Sequence, residues 1–198
     1  MANNVVPLEI MQWANEDWVS GFLKNSSIPL AEMLAADPDQ RVSELGSRML
    51  HLATMSPHRP SKAVTKAVIR FLLVERNADV NVADDYGRTP LTHFITGGVL
   101  GWLGDEQFGC EVLELLLCHG ADANVLFTPD YVDLAGCGKW TLAHMLNKQS
   151  PSYSELPLRM RQILEPHFDR SICDSSGRNA ERTQHELEVK TASRLTSL

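Results

Sequence analysis

Apolar residues recur at helical spacing in the segment KAVTKAVIRFLLVERN, which covers residues 62–77. The positions that share one helical face are separated by three, one, three and one residues, and they are Val64, Ala67, Val68, Phe71 and Leu72. This pattern predicts an amphipathic helix with one buried side. The helix is expected to end at Asn77, because asparagine tolerates the left-handed backbone conformation that ends many helices.

The end of this segment recurs further along the chain. LLVERNADVN at 72–81 aligns with LLLCHGADAN at 115–124, and a weaker copy, ILEPHFD, covers 163–169. A second motif recurs as GSRMLHLA, GRTPLTHF, GKWTLAHM and GRNAER, which begin at Gly46, Gly87, Gly138 and Gly177. Two motifs that alternate along the chain indicate an internal repeat.

Each repeat unit is predicted to contain two helices and a projecting turn. The segment DDYG at 84–87 has aspartate at its start and glycine at its end, which is typical of a β-turn. Thr89 can cap the helix that follows, and Pro90 suits the first helical position because proline has no amide hydrogen to satisfy. The sequence therefore predicts an all-α chain in which helix pairs alternate with turns.

The segments DDYGRTPL and LLxxxxADxN resemble the ankyrin repeat, whose signature is a turn, Gly-x-Thr-Pro-Leu-His and a closing Gly-Ala-Asp-x-Asn. The resemblance implies an ankyrin-type solenoid of stacked helix pairs with projecting β-turn fingers. Thr92 stands at the usual histidine position, so only His51 is expected to support the Thr/His hydrogen bonding of the family, with Arg48 in place of the threonine. The Gly-to-Gly spacings of 41, 51 and 39 residues exceed the usual value of about 33.

The repeats and the extra residues predict a domain organisation. Residues 1–45 form a divergent N-terminal helical capping unit, 46–177 the ankyrin-like units that start near Gly46, Gly87 and Gly138, and 178–198 a C-terminal capping helix with a frayed tail. An insertion at 97–109 is rich in glycine and is expected to form a loop, either a mobile binding element or a flap packed over the helices. A second insertion at 125–137 lengthens one finger.

Protein binding through the concave face and the elongated fingers is the function that the resemblance implies, as in an adaptor or a regulatory subunit. Acidic residues at the predicted turn tips favour a basic peptide or protein surface as the partner, although aspartate in turns also arises from backbone hydrogen bonding alone. Phe127 and Tyr131 have a second interpretation, in which they fold back against the next repeat. The residues predicted to contact the partner are Asp84, Asp85, Tyr86, Arg88, Trp102, Phe127, Asp130, Tyr131, Asp133 and Trp140.

Composition and charge narrow the class of partner. The chain has 198 residues and a net charge of −7, which argues against a general nucleic-acid binder because phosphate neutralisation needs surplus Lys and Arg. No signal peptide and no apolar run of about 18 residues is visible, so we expect a protein of the cytoplasm, with the nucleus as the alternative, and no membrane partner. We also expect the chain to be monomeric when it is free of its partner. Lys62, Lys66 and Arg70 lie at i, i+4 and i+8 and indicate a solvated face, with phosphate binding as the alternative.

The sequence contains no recognisable catalytic, cofactor or metal motif, since GxGxxG, GKS, GKT and HExxH are all missing from it. Its four cysteines form no CxxC pair and are interpreted as reduced thiols. An enzyme or a ligand-binding protein is the alternative function, with a pocket formed by the two insertions. The side chains available to such a pocket are His93, Asp130, Cys137 and His144.

Overall fold

Helices account for the regular secondary structure in the part of the chain that the structure describes. The computed structural model describes residues 37–55, 62–102, 105–128, 138–146, 156–182 and 185, and for residues 55, 64 and 97–102 it describes the backbone alone. Within these residues β-type pairing is limited to two isolated antiparallel bridges, Phe127 with Trp140 and Cys173 with Asn179. The predicted all-α class is therefore confirmed for the described residues.

The chain divides into two units, Met1–Ala121 and Asp122–Leu198. The described helices of the first unit are α1 (Met49–Met55), α2 (Lys62–Arg70), α3 (Pro90–Trp102) and α4 (Glu106–Cys118). α2 continues as a π-helical turn over Phe71–Glu75. α1 packs against α2 and α3, and α4 also packs against α2 and α3, so the described part of the first unit contains two helix pairs side by side.

The described helices of the second unit are α5 (Leu142–Met145) and α6 (Leu158–Leu164), and a 3-10 turn over Glu165–His167 follows α6. A short helical stretch at 180–182 falls where the C-terminal capping helix was predicted. Most of the remainder of that segment, and residues 1–36 of the predicted N-terminal capping unit, lie outside the described residues. None of the described helices in either unit is long and apolar enough to cross a membrane.

The core of the first unit is built from the apolar faces of its helices. Side chains that are less than 2 % exposed include Leu50, Leu52, Ile69, Leu72, Leu91, Phe94 and Ile95. Full burial of a leucine, isoleucine or phenylalanine side chain stabilises a fold by about 1.5–3 kcal/mol. This cluster therefore fixes the helices from which the turns project.

The π-helical turn that continues α2 ends where the sequence pattern predicts. The amide of Arg76 donates to the carbonyl of Phe71 at 3.0 Å, and the amide of Ala78 donates to the carbonyl of Leu72 at 2.9 Å. Asn77, between them, has a φ angle of 52°. This is the left-handed conformation that a helix stop needs and that asparagine tolerates better than most residues. The predicted end of the helix is confirmed.

The glycine-rich segment at 97–109 is helical over most of its length, which corrects the prediction of a loop. α3 runs through the glycine pair at 97–98, and α4 begins directly after Asp105. The carboxylate of Asp105 caps α4 by accepting the amide hydrogen of Phe108 at 2.9 Å. Glycine lowers helix stability by about 0.5–1 kcal/mol relative to alanine. That loss does not prevent the helix, because Phe94 fixes its first turns in the core.

Two repeat-starting glycines are required by close contacts as well as by backbone conformation. Gly46 and Gly138 both have φ angles of 79°. A Cβ atom on Gly46 would lie 2.5 Å from Asp85 Oδ1, and one on Gly138 would lie 1.6 Å from Ser175 Oγ. In each unit, a neighbouring turn therefore occupies the space that any other residue would fill.

Candidate functional site

The first predicted finger is a turn whose hydrogen bonds converge on Asp84. Its Oδ1 atom accepts hydrogen bonds from the amides of Tyr86 and Arg88, both at 2.9 Å. Arg88 Nε donates to Asp84 Oδ2 at 2.8 Å, and the amide of Gly87 donates to the Asp84 carbonyl at 3.0 Å. One side chain therefore satisfies most of the polar groups of this turn.

The same network occurs in the second unit, around Asp174. Asp174 Oδ1 accepts hydrogen bonds from the amides of Ser176 and Arg178 at 2.8 and 2.9 Å, and Arg178 Nη2 donates to Oδ2 at 3.2 Å. The amide of Gly177 donates to the Asp174 carbonyl at 3.0 Å. The sequence carries this signal as DDYGR and DSSGR, a pairing of aspartate with arginine that the repeat alignment missed.

A buried histidine ties each turn to the start of a helix. The amide of Arg48 donates to His51 Nδ1 at 3.0 Å, so Nε2 carries the hydrogen and donates to the Arg88 carbonyl at 2.9 Å. His144 Nε2 donates to the carbonyl of Arg178 at the same distance of 2.9 Å.

Thr141 fixes the ring of His144, because its hydroxyl lies 2.8 Å from Nδ1. The structure therefore corrects the expectation that only His51 supports Thr/His hydrogen bonding. Thr141 and His144 belong to the segment TLAH, which has a threonine and a histidine at the spacing of the ankyrin signature. The signal was present in the sequence.

Thr92 replaces the usual histidine without loss of local hydrogen bonding. Its hydroxyl accepts the amide hydrogen of Thr89 at 2.7 Å and donates to the Thr89 carbonyl at 2.8 Å. The adjacent His93 points instead to the first finger, with Nε2 at 3.1 Å from Asp84 Oδ2. The histidine of this segment therefore lies one residue after the position that the ankyrin signature gives it, and it contacts the turn that precedes its own helix.

These groups form a small buried charge network in the first unit. Burial alone would raise the pKa of Asp84, but the hydrogen bonds from His93 and Arg88 outweigh it and hold that pKa well below its usual range. Burial, followed by the charge of His93, lowers the pKa of His51 from 6.5 to about 4. The rings of His51 and His93 meet edge to face with their centroids 5.0 Å apart. His51 is therefore neutral at pH 7.

The Asp-x-Asn segments form a second set of recurrent hydrogen bonds between side chains and backbone. In Asp79-x-Asn81 and Asp122-x-Asn124, the aspartate Oδ1 accepts the asparagine amide hydrogen at 2.9 and 2.8 Å. Asn81 Nδ2 donates to the Gly120 carbonyl at 2.9 Å, so it connects its loop to the end of α4.

Two further copies follow the same pattern, at Asp169 and at Asp37, and the sequence comparison missed the copy at Asp37. Asp169 Oδ1 accepts the amide hydrogen of Ser171 at 2.9 Å, and Asp37 Oδ1 accepts that of Asp39 at the same distance. Asp39 in turn accepts the amide hydrogen of Asp79 at 3.1 Å. The copy at Asp37 extends the repeat pattern upstream of Gly46.

An exposed surface lies at the tip of the first finger, and we call it the tip surface: Arg41, Glu44, Leu45, Asp85 and Tyr86. Leu45 is 48 % exposed and Tyr86 is 40 % exposed. The amide of Asp85 donates to the Leu45 carbonyl at 3.0 Å, and Arg41 Nη2 pairs with Asp85 Oδ2 at 2.6 Å. The turns that carry Leu45 and Tyr86 are thus held next to each other by a backbone hydrogen bond and an ion pair.

Tyr86 is supported from below by the turn network. The guanidinium carbon of Arg88 lies 4.8 Å from the centroid of the Tyr86 ring. Arg88 is itself buried and paired with Asp84, so the ring rests on a fixed group. Asp84 and Arg88 were predicted to contact a partner, and their burial corrects this: both belong to the scaffold.

Phe127 and Trp140 form an isolated antiparallel bridge in the second unit. The amide of each donates to the carbonyl of the other at 2.9 Å. Their side chains are 0 % and 6 % exposed, which corrects the prediction of partner contact for Trp140 and favours the second interpretation of Phe127, in which it folds back. Asp130, Tyr131 and Asp133 lie outside the described residues, and only the backbone of Trp102 is described.

The pocket proposed for an enzyme receives no support from the described residues. His93 and His144 are buried and each is engaged in a turn network, while Asp130 and Cys137 lie outside the described part of the chain. The described residues contain no group of three or more His, Cys, Asp or Glu side chains able to hold a metal ion. The histidines that sequence reasoning considered for catalysis have structural roles.

No protein-family model matches the chain, and no curated protein matches it. The resemblance to ankyrin repeats therefore rests on the sequence motifs quoted above. Function has to be inferred from the turns and the surface that they display.

Proposed function

We propose that this chain is an ankyrin-type repeat protein that binds another protein through the tip surface. The observation that carries the proposal is the recurrence of one network in both units. Asp84 and Asp174 close turns of the same pattern, and each turn is held by a histidine through the carbonyl of its arginine. An ankyrin-type repeat in which each turn forms a finger is the architecture that we infer from this recurrence.

Recognition is the function that suits the tip surface. Leu45 and Tyr86 expose apolar area on turns that the core holds in place, and rigid loops with large side chains are frequent binding elements. Tyrosine is also enriched among the residues that dominate binding energies. A tyrosine supported by Arg88 loses little side-chain freedom on binding, because its ring is already restricted.

Charge favours a basic partner segment. Arg41 and Asp85 neutralise each other across the tip surface. Glu44 is exposed and has no hydrogen-bond or ion-pair partner among the described residues, so it leaves one negative charge beside Leu45. An apolar side chain next to a lysine or arginine would complement this surface.

Affinity capture with matched variants tests the proposal. The test variant combines Leu45→Ala with Tyr86→Ala, and the control is Leu158→Ala, which removes a 61 % exposed leucine from α6 of the second unit. The partner captured by the wild type is expected to bind the test variant with a loss of at least about 2 kcal/mol, or roughly 30-fold in Kd. The control should bind as the wild type does, and circular dichroism should show that both variants are folded.

A charge reversal tests the predicted sign of the partner. Glu44→Lys is expected to weaken binding and to reduce its dependence on salt, because an attraction between opposite charges is replaced by repulsion. Equal affinity of the double alanine variant and the wild type for the captured partner would rule out the tip surface. Stronger binding by Glu44→Lys would show that the partner segment is acidic.

A further inference from the structure

A groove between α2 and α4 lies in the first unit and has a volume of about 460 Å³. The two helices run in the same direction along it, because Lys62 pairs with Asp105 and Lys66 pairs with Glu111. The second of these pairs has an N–O distance of 2.6 Å. The two carboxylates have pKa values below their usual range because of hydrogen bonds from the lysines. The groove is therefore crossed by two satisfied ion pairs.

Arg70 continues the basic row by one helical turn, and it also lines the groove. It has no hydrogen bond or ion pair among the described residues, in contrast to Lys62 and Lys66. The next acidic residue on α4 after Glu111 is Glu114, which is exposed and does not line the groove. Three cations and two carboxylates leave one positive charge, at Arg70.

The space beside Arg70 is bounded by small and apolar side chains. Ala63 and Ala67 line the groove from α2, one turn apart, and Phe108 lines it from α4. Alanine leaves room that a larger residue at either position would fill. The volume falls in the range of about 300–1,000 Å³ that ligand sites occupy.

We propose that this groove binds an acidic and apolar segment of a protein, distinct from the partner of the tip surface. A glutamate or aspartate of the segment pairs with Arg70, and a neighbouring aliphatic side chain lies against Ala63 and Ala67. A guanidinium group binds a carboxylate through two parallel hydrogen bonds, which gives both strength and orientation. A single unmatched positive charge suits a carboxylate better than a doubly charged phosphate, since Lys62 and Lys66 are already neutralised.

The test is an NMR titration of the ¹⁵N-labelled full chain with the blocked peptide acetyl-Leu-Glu-Ala-amide. The matched probe is acetyl-Leu-Gln-Ala-amide, which has the same shape without the charge, and inorganic phosphate is the third probe. Amide shifts are expected at 62–70 and 105–111 with the acidic peptide. Arg70→Gln should weaken this binding by about tenfold, because it removes the charged half of the pair. Lys139→Gln, an exposed change in the second unit, should have no effect.

Ala67→Leu provides an independent variant, because it fills the groove and retains the charge of Arg70. It is expected to abolish the shifts at 62–70. The proposal is overturned if the acidic peptide causes no shifts at millimolar concentration, if the glutamine peptide binds equally well, or if phosphate binds more tightly than the peptide. Shifts confined to the tip surface would also overturn it, and they would contradict the basic partner segment proposed for that surface. Because Leu45 and Tyr86 do not line the groove, the double alanine variant separates the two sites.

Discussion

Replacement of His51 tests whether a buried neutral histidine makes the first unit sensitive to acid. His51 is 0 % exposed and accepts a hydrogen bond from the Arg48 amide while it donates to the Arg88 carbonyl. A second proton would have to be placed on Nδ1, where the Arg48 amide already points. His93 and Asp84 also face this site, and burial followed by the charge of His93 lowers the pKa of His51 from 6.5 to about 4.

The direction of the pH effect follows from proton binding. Between pH 6.5 and pH 4 the unfolded chain holds a proton on His51 that the folded chain does not hold. The stability that neutral His51 contributes is therefore fully present above pH 6.5. It falls as the pH is lowered and is lost below about pH 4. At 1.36 kcal/mol per pKa unit, the loss in the free energy of unfolding is about 3 kcal/mol. Asp84 adds to acid sensitivity only below its unfolded pKa of 3.8, because its folded pKa is depressed.

The assay is urea unfolding followed by far-ultraviolet circular dichroism at intervals from pH 7.5 to pH 4. His51→Gln is expected to be less stable than the wild type by about 1–3 kcal/mol at pH 7, because at least one buried hydrogen-bonding group loses its partner. The difference should shrink by about 3 kcal/mol towards pH 4 and could change sign. His185→Gln, an exposed control, should keep the slope of the wild type. A constant difference between His51→Gln and the wild type over this range would refute the reasoning.

Four further changes test the turns by urea unfolding at pH 7. Gly177→Ala introduces only the strain of a φ angle of 79° and should lower the free energy of unfolding by about 1–2 kcal/mol. Gly138→Ala should cost more, because its methyl group also meets Ser175 Oγ. Equal losses for the two variants would contradict the close contact. Asp84→Asn leaves the buried guanidinium of its own turn without a counter-charge and should cost about 3–5 kcal/mol. Asp85 belongs to an ion pair in which its side chain is 50 % exposed, so Asp85→Asn should lower the free energy of unfolding by less than about 1 kcal/mol. A similar loss for Asp84→Asn and Asp85→Asn would show that burial is unimportant here.

The sequence predicted the elements that depend on local chemistry. Periodic apolar residues identified α2, and the helix stop at Asn77 follows from one residue's tolerance of the left-handed region. The repeat-starting glycines were found by alignment, and their positive φ angles explain why glycine stands there. These features could be predicted because each depends on a few neighbouring residues.

The failures concern side chains whose role depends on distant neighbours. Asp84 was placed at an exposed tip because aspartate is common in turns, but His93 from the next helix and the guanidinium of Arg88 make burial favourable. Phe127 and Trp140 lie 13 positions apart and pair by an antiparallel bridge, a contact that no local pattern indicates. Sequence reasoning therefore identified where the turns lie, but it did not separate their supporting residues from the displayed ones.

The two histidine links end on backbone carbonyls, and this has a consequence for how the turns can evolve. Every amino acid supplies a carbonyl, so the links from His51 and His144 do not constrain which side chains the turns display. One turn carries Asp85 and Tyr86 between its aspartate and glycine, and the other carries two serines. Substitutions at the displayed pair can therefore accumulate without loosening the contacts that hold the turn, so the sequence of the tips and the stability of the fold can vary independently.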